Sequence, residues 1–116
     1  METKSKGSIG EILAEKYLKK LGYKFLERNY SSKIGEIDLI YKDKDTIVFV
    51  EVKARQNDRF GTGREAINYK KQQKIKRTAE FYLISNNLYD KNCRFDCIEV
   101  LGDKEDYTVE HYKNAF

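Results

Sequence analysis

A chain of 116 residues has length for one domain and none for a second. With 40% hydrophobic and 36% charged residues it is globular rather than disordered, under a heavily solvated surface. Two cysteines exclude a disulfide scaffold, and no apolar stretch approaches the roughly 20 residues that span a bilayer. No apolar run follows the charged N-terminus, so a signal peptide is not expected, and the expected location is the cytoplasm, with Cys93 and Cys97 reduced. The single domain covers 1–116, with 1–6 and 113–116 the segments expected to fray.

The net charge is +4, and its distribution says more than its size. Lys53 to Arg77 carries nine Lys/Arg against Asp58 and Glu65, while the remainder is net acidic. A concentrated basic segment is the footprint of a phosphate-bearing partner, although a charge run alone more often marks a solvated helix face.

No proline, repeat or low-complexity tract divides the chain, so glycine and periodicity set the boundaries. Gly7 to about Leu21 reads as a helix, with Ser8 as cap, Leu13, Ala14, Tyr17, Leu18 and Leu21 at helical spacing, and Gly22 as the stop. Tyr23–Arg28 follows as a short strand and Asn29–Lys33 as a loop. Glu36–Tyr41 and Thr46–Lys53 form an antiparallel hairpin about Lys42–Asp45. The second of these is apolar on both faces, as expected of a central strand.

Gln56–Gly63 reads as a loop. Arg64 to Ser85 reads as a helix with Ile75, Ala79, Tyr82 and Leu83 as its apolar stripe. Arg94–Val100 is a further strand and Tyr107–Tyr112 a last one, at an edge. The order α-β-β-β-α-β-β predicts an α/β domain: a small mixed sheet flanked by two helices.

Within the hairpin, charge stands where a core strand should have none. A two-residue loop at Lys44-Asp45 places Asp38 opposite Glu51, on one side of the sheet, and Lys53 points to that side as well. Two carboxylates so close repel unless a positive charge lies between them. A hard divalent cation, Mg²⁺ or Mn²⁺, meets that need through oxygen ligands, and the Val52 backbone carbonyl offers another oxygen. Such a metal, with Lys53 beside it, is chemistry suited to phosphodiester hydrolysis. The alternative is a pair of edge acids each satisfied by Lys or Arg. Unpaired charge in an apolar central strand is expensive, and the residues alone leave the two readings level.

The block Gly35-Glu36-Ile37-Asp38-Leu39-Ile40, an acidic turn, then Val48-Phe49-Val50-Glu51-Val52-Lys53-Ala54-Arg55 resembles the YraN-like family of bacterial proteins. The similarity extends from Gly7 to about Val100 through weaker matches: Gly10-Glu11, Ala14, Tyr17-Leu18, Arg28-Asn29, Phe60-Gly61, Lys71, Ala79 and Arg94-Phe95-Asp96. It implies the restriction-endonuclease-like core with the PD-(D/E)xK motif, similar to archaeal Holliday junction resolvases. It also implies Asp38 and Glu51 as metal ligands, Lys53 as the catalytic lysine and Glu11 as a further acidic site residue and candidate ligand. Ile37 stands where the motif has proline, and Tyr69 where family members often have proline. On a helical wheel Glu11 falls at the rim of the apolar face and Glu15 well outside it.

Lys70, Lys74 and Arg77 form one stripe on the second helix, suited to phosphate. Lys71, at the edge of the apolar face, is the better candidate for a place near the site, and Arg55, Arg59 and Arg64 join the nucleic-acid-binding set. Glu36 is either a supporting group or a third ligand. His111, Cys93 and Cys97 read as surface or core packing rather than catalysis. The expected activity is a metal-dependent nuclease acting on nucleic acid, DNA before RNA, with branched or junction DNA and a homodimer suggested by kinship with resolvases. A non-catalytic nucleic-acid-binding module, or an accessory subunit of a repair or processing complex, is the competing expectation.

Overall fold

The computed structural model describes residues 9–55, 67–103 and 105–116. Helix α1 (Ile9–Lys20) buries Gly10, Glu11, Leu13, Ala14 and Leu18. It stops where the periodicity predicts, since Gly22 takes φ 89°. The Gly22 N–H donates to Lys19 O and the Tyr23 N–H to Leu18 O, the paired bonds of a Schellman end. Leu21, expected on the apolar face, is exposed beyond the last helical turn. The Ser8 cap lies outside the described residues.

Strand β1 (Lys24–Ser31) runs on through residues expected to form a loop. Asn29 allows this by taking φ 51°, a left-handed conformation that asparagine tolerates better than most residues. The true turn is Ser32–Gly35, closed by the Ser32 N–H to Gly35 O at 2.8 Å, with the Ser32 hydroxyl accepting from the Ile34 N–H at 3.1 Å.

Strands β2 (Glu36–Asp43) and β3 (Thr46–Arg55) form the expected hairpin, with Asp43 paired to Thr46 around Lys44-Asp45. Helix α2 (Tyr69–Ser85) starts later than Arg64, because Asn68 caps it by accepting from the Lys71 N–H at 2.9 Å and Ile67 is buried ahead of the cap. Strands β4 (Asn92–Asp103) and β5 (Asp106–Tyr112) complete the chain, β4 extending past its predicted Arg94–Val100.

The five strands lie in sequence order. All neighbours are antiparallel except β3 and β4, which run parallel and are joined across the sheet through α2. The helices cover opposite faces. Leu13, Ala14 and Leu18 of α1 pack on Leu39, Tyr41, Val48, Val50, Ile98 and Val100. Ile75, Ala79 and Tyr82 of α2 pack on Ile37, Ile40, Ile47, Phe49 and Cys97.

The C-terminal residues return to the sheet. The Ala115 N–H donates to Phe95 O at 2.7 Å, and the Phe116 ring stacks on Phe95 with centroids 5.5 Å apart. The fold is therefore a mixed α/β sheet with two flanking helices, and among the described residues no helix is long and apolar enough to cross a membrane.

Candidate active site

The β2–β3 ladder is regular from Asp43–Thr46 to Leu39–Val50 and ends there. Counting one rung further would set Asp38 against Glu51, as the sequence predicts. At that rung the Asp38 carboxylate instead reaches the neighbouring backbone, accepting the Val52 N–H on Oδ2 at 2.8 Å. On its other flank β2 turns over at the same place. Arg28 and Leu39 face α1, whereas Tyr30 and Ile37 two residues along pack with α2, and Asn29 lies between, beside Asp38. The left-handed residue in β1 and the splay from β3 thus frame one buried carboxylate.

Strand β3 continues alone with β4, its Glu51 beside Cys97 and Lys53 beside Glu99. Glu51 shares the α2 side with Phe49 and Ile47, and Lys53 follows two residues on. Both Asp38 and Glu51 are buried, at 6% and 3% exposure. They open into a cleft of about 490 Å³ whose walls include Glu36, Asn68, Lys70, Lys71 and Lys74. Gly35 lets α2 come this close, since a Cβ there would lie 3.2 Å from Thr78 Oγ1. Lys71 Nζ stands 3.5 Å from Glu51 Oε1.

Burial, and then the charge of nearby Lys71, pull the Lys53 ammonium below the ordinary lysine range, although Glu51 and Asp38 act in the opposite sense. Under the site, burial and the neighbouring Glu51 charge push the Cys97 thiol up to about 12, which rules it out as a nucleophile near neutral pH.

The predicted residues fall into three groups. Asp38, Glu51 and Lys71 are brought together at the cleft, with Lys53 electrostatically coupled to them and Lys70 and Lys74 on the wall. Val52 enters through its N–H. Lys70, Lys74 and Arg77 also line an adjoining groove with Tyr69 and Gln73.

Glu11 is buried on α1, where Asn29 Nδ2 donates to its Oε1 at 3.5 Å, so it approaches Asp38 through the β1 neighbour without lining the cleft. Arg55 is engaged within the protein, its Nε 3.3 Å from the buried Glu99 Oε2. Arg59 and Arg64, and the predicted loop Gln56–Gly63, lie outside the described residues.

Three contributors escaped the sequence reading. Glu99 is fully buried beside Lys53, yet Cys97-Ile98-Glu99-Val100 reads as ordinary alternation with one acid toward water. Asn68 caps α2 at the cleft wall, and an Asn three residues before the lysine-rich turn was the available signal. Asn29 was marked only as part of the weak Arg28-Asn29 match, with no role attached.

Comparison with known proteins places the chain. The sequence profile described as "Uncharacterised protein family UPF0102" matches residues 10–100. The chain belongs to the UPF0102 family. A UPF0102 protein of Alkaliphilus oremlandii is 52% identical over 112 residues, covering 95% of this chain and 96% of that one. UPF0102 proteins of Clostridium acetobutylicum and Clostridioides difficile are 48% and 49% identical, covering 97% and 100% of this chain and 94% and 100% of theirs. The UPF0102 match begins at Gly10, where a Cβ would lie 2.6 Å from the Ala54 Cβ, and it contains Asp38, Glu51, Lys53, Lys71 and Glu99.

Among the described residues no three His, Cys, Asp or Glu side chains converge as a metal-ligand set. The oxygen-bearing groups at the cleft include two buried carboxylates, Asp38 and Glu51. That matches the habit of magnesium, which takes one or two carboxylates and fills its remaining positions with water and substrate oxygens.

Proposed function

We propose that this protein is a metal-dependent nuclease with a restriction-endonuclease-like core of the PD-(D/E)xK kind, hydrolysing phosphodiester bonds in nucleic acid, with DNA the expected substrate. The observation that carries the reading is the pair of buried carboxylates, Asp38 and Glu51, at the point where β2 splays from β3, with a lysine two residues beyond Glu51 and a lysine-lined cleft in front. Asp38 and Glu51 would hold Mg²⁺ or Mn²⁺, with the Val52 carbonyl as a further oxygen. The bound cation would lower the pKa of a water and neutralise charge on the phosphate.

The protein's own groups account for the rest. The Asp38 carboxylate is fixed by the Val52 N–H, so it is oriented before any ligand arrives. Lys53, with a weakened hold on its proton, would neutralise a phosphoryl oxygen and protonate the departing oxygen. Lys70 and Lys74 present ammonium groups to the flanking phosphates, and the N-terminus of α2 adds its favourable dipole end. Glu11, held by Asn29 of the strand that pairs with β2, is the further acidic residue of the reading.

The test is cleavage of a labelled panel (linear duplex, single strand, flap, four-way junction and RNA) with Mg²⁺ or Mn²⁺, by the wild type, Glu51→Ala and Lys53→Ala. Metal-dependent cutting that disappears in both variants is expected, and the preferred substrate then narrows the role. Binding without cutting by all three proteins at equal affinity would leave a non-catalytic nucleic-acid-binding module in its place. Absence of binding to every member of the panel at moderate salt would favour an accessory subunit.

A further inference from the structure

We infer that Lys71 is the resting counter-ion of Glu51, which an arriving divalent cation displaces and whose freed ammonium then meets a substrate phosphate. The inference rests on the metal-dependent reading above and assigns Lys71 a positioning role within it.

The pair is asymmetric. Lys71 Nζ lies 3.5 Å from Glu51 Oε1, and the lysine side chain is 45% exposed against 4% for the glutamate. A flexible side chain thus reaches in from solvent to a carboxylate that cannot move far. A magnesium ion on that oxygen would stand about 2.1 Å from it, so the ammonium and the ion would contend for the same charge at short range.

The local charge favours displacement. Lys71 approaches Glu51 from the cleft and Lys53 follows it along the strand, so a dication arriving at the carboxylates meets basic side chains already in place. Lys53 is half-buried on a central strand, whereas only the side chain of Lys71 need move, because its backbone N–H is fixed to Asn68 Oδ1 at 2.9 Å.

The cleft of about 490 Å³ gives the stem room to swing, and Lys70 and Lys74 already line it. A phosphate there would receive the released charge. Cation and nucleic acid should therefore bind with positive coupling, each raising the affinity of the other by the same factor.

The experiment is a Mn²⁺ titration of the full chain without nucleic acid, followed by the electron paramagnetic resonance signal of free Mn²⁺, for wild type, Lys71→Met, Lys71→Arg and Glu51→Gln. Lys71→Met is expected to tighten Mn²⁺ binding on the order of tenfold, Lys71→Arg to stay within about twofold of wild type, and Glu51→Gln to weaken it. A short phosphorothioate oligonucleotide should then tighten Mn²⁺ binding to wild type and do so less for Lys71→Met.

If Lys71→Met binds Mn²⁺ no better than wild type while Glu51→Gln binds it worse, the counter-ion inference fails and the metal site stands. Tightening in Lys71→Arg equal to that in Lys71→Met would also overturn it, since the charge would then be irrelevant. If no protein shows Mn²⁺ binding that depends on Glu51, the inference and the proposed function fall together.

Discussion

Two buried charge clusters occupy this sheet, and they are built on different terms. On the α1 face, Asp96 is fully buried and accepts from Arg94 Nε at 3.0 Å, from the Asn114 N–H at 3.1 Å and from His111 Nε2 at 2.8 Å. Arg94 goes on to Asp43 and the Tyr23 hydroxyl, and the Tyr17 hydroxyl meets the other nitrogen of His111 at 3.1 Å. The Arg94–Asp96 pair lies within β4, and the bonds to Asp43, His111 and Tyr17 tie β4 to β2 and β5, and β5 to α1. On the α2 face, Glu51 meets a half-exposed lysine at 3.5 Å beside open cleft. The first cluster is an internal network between packed elements, whereas the second includes a partly exposed side chain at the cleft, the arrangement the proposed function calls for.

That contrast can be broken by crossing mutations with readouts. Asp96→Ala strips a buried carboxylate from a guanidinium that stays behind, and a loss of about 3–5 kcal/mol is expected in urea unfolding. Lys53→Ala should move the other way: little change in the unfolding midpoint, and a fall on the order of a hundredfold or more in cleavage rate. Equal stability losses in both variants would erase the distinction between the clusters.

A steric change sharpens it further. Gly10→Ala places its Cβ 2.6 Å from that of Ala54, where α1 crosses β3, and should cost about 1–3 kcal/mol in the same unfolding experiment.

The smallest expected effect is in acid. Burial pushes Asp96 up, but the hydrogen bonds from His111, Arg94 and Asn114 outweigh it and hold the carboxyl below its ordinary 3.8. A folded-state pKa below the unfolded one gives stability that is present above the unfolded value and is lost as pH falls through the folded value. Below about pH 5 the stability gap between wild type and Asp96→Asn should thus narrow as pH falls and close below about pH 4. A gap that instead widens as pH falls through this range would contradict the sign of the shift.

What the sequence made legible follows from how local each feature is. The hairpin register could be counted because a two-residue loop with Lys44 left-handed at φ 56° fixes every pair from Asp43–Thr46 onward. The same counting could not show that the ladder ends one rung before Asp38, because the splay depends on where β1 and α2 pull. Polar Asn29–Lys33 looked like a loop because periodicity carries no sign of a single left-handed Asn inside a strand. Glu99 went unread because alternation reveals which side a residue takes and not whether that side is covered. His111 was read as packing; its side chain is indeed buried, but its contacts are polar as well as aromatic.

The bond from Val52 to Asp38 has one more use. An amide whose nitrogen lies 2.8 Å from a carboxylate oxygen, in a strand otherwise paired through its backbone, is a built-in spectroscopic probe. A charge-assisted bond deshields that proton, so its resonance should lie downfield of the other β3 amides. Whatever draws electron density from the carboxylate will move the resonance back. The chain thus carries its own indicator of the electrical state of its candidate active centre, readable one amide at a time without a label on the side chain.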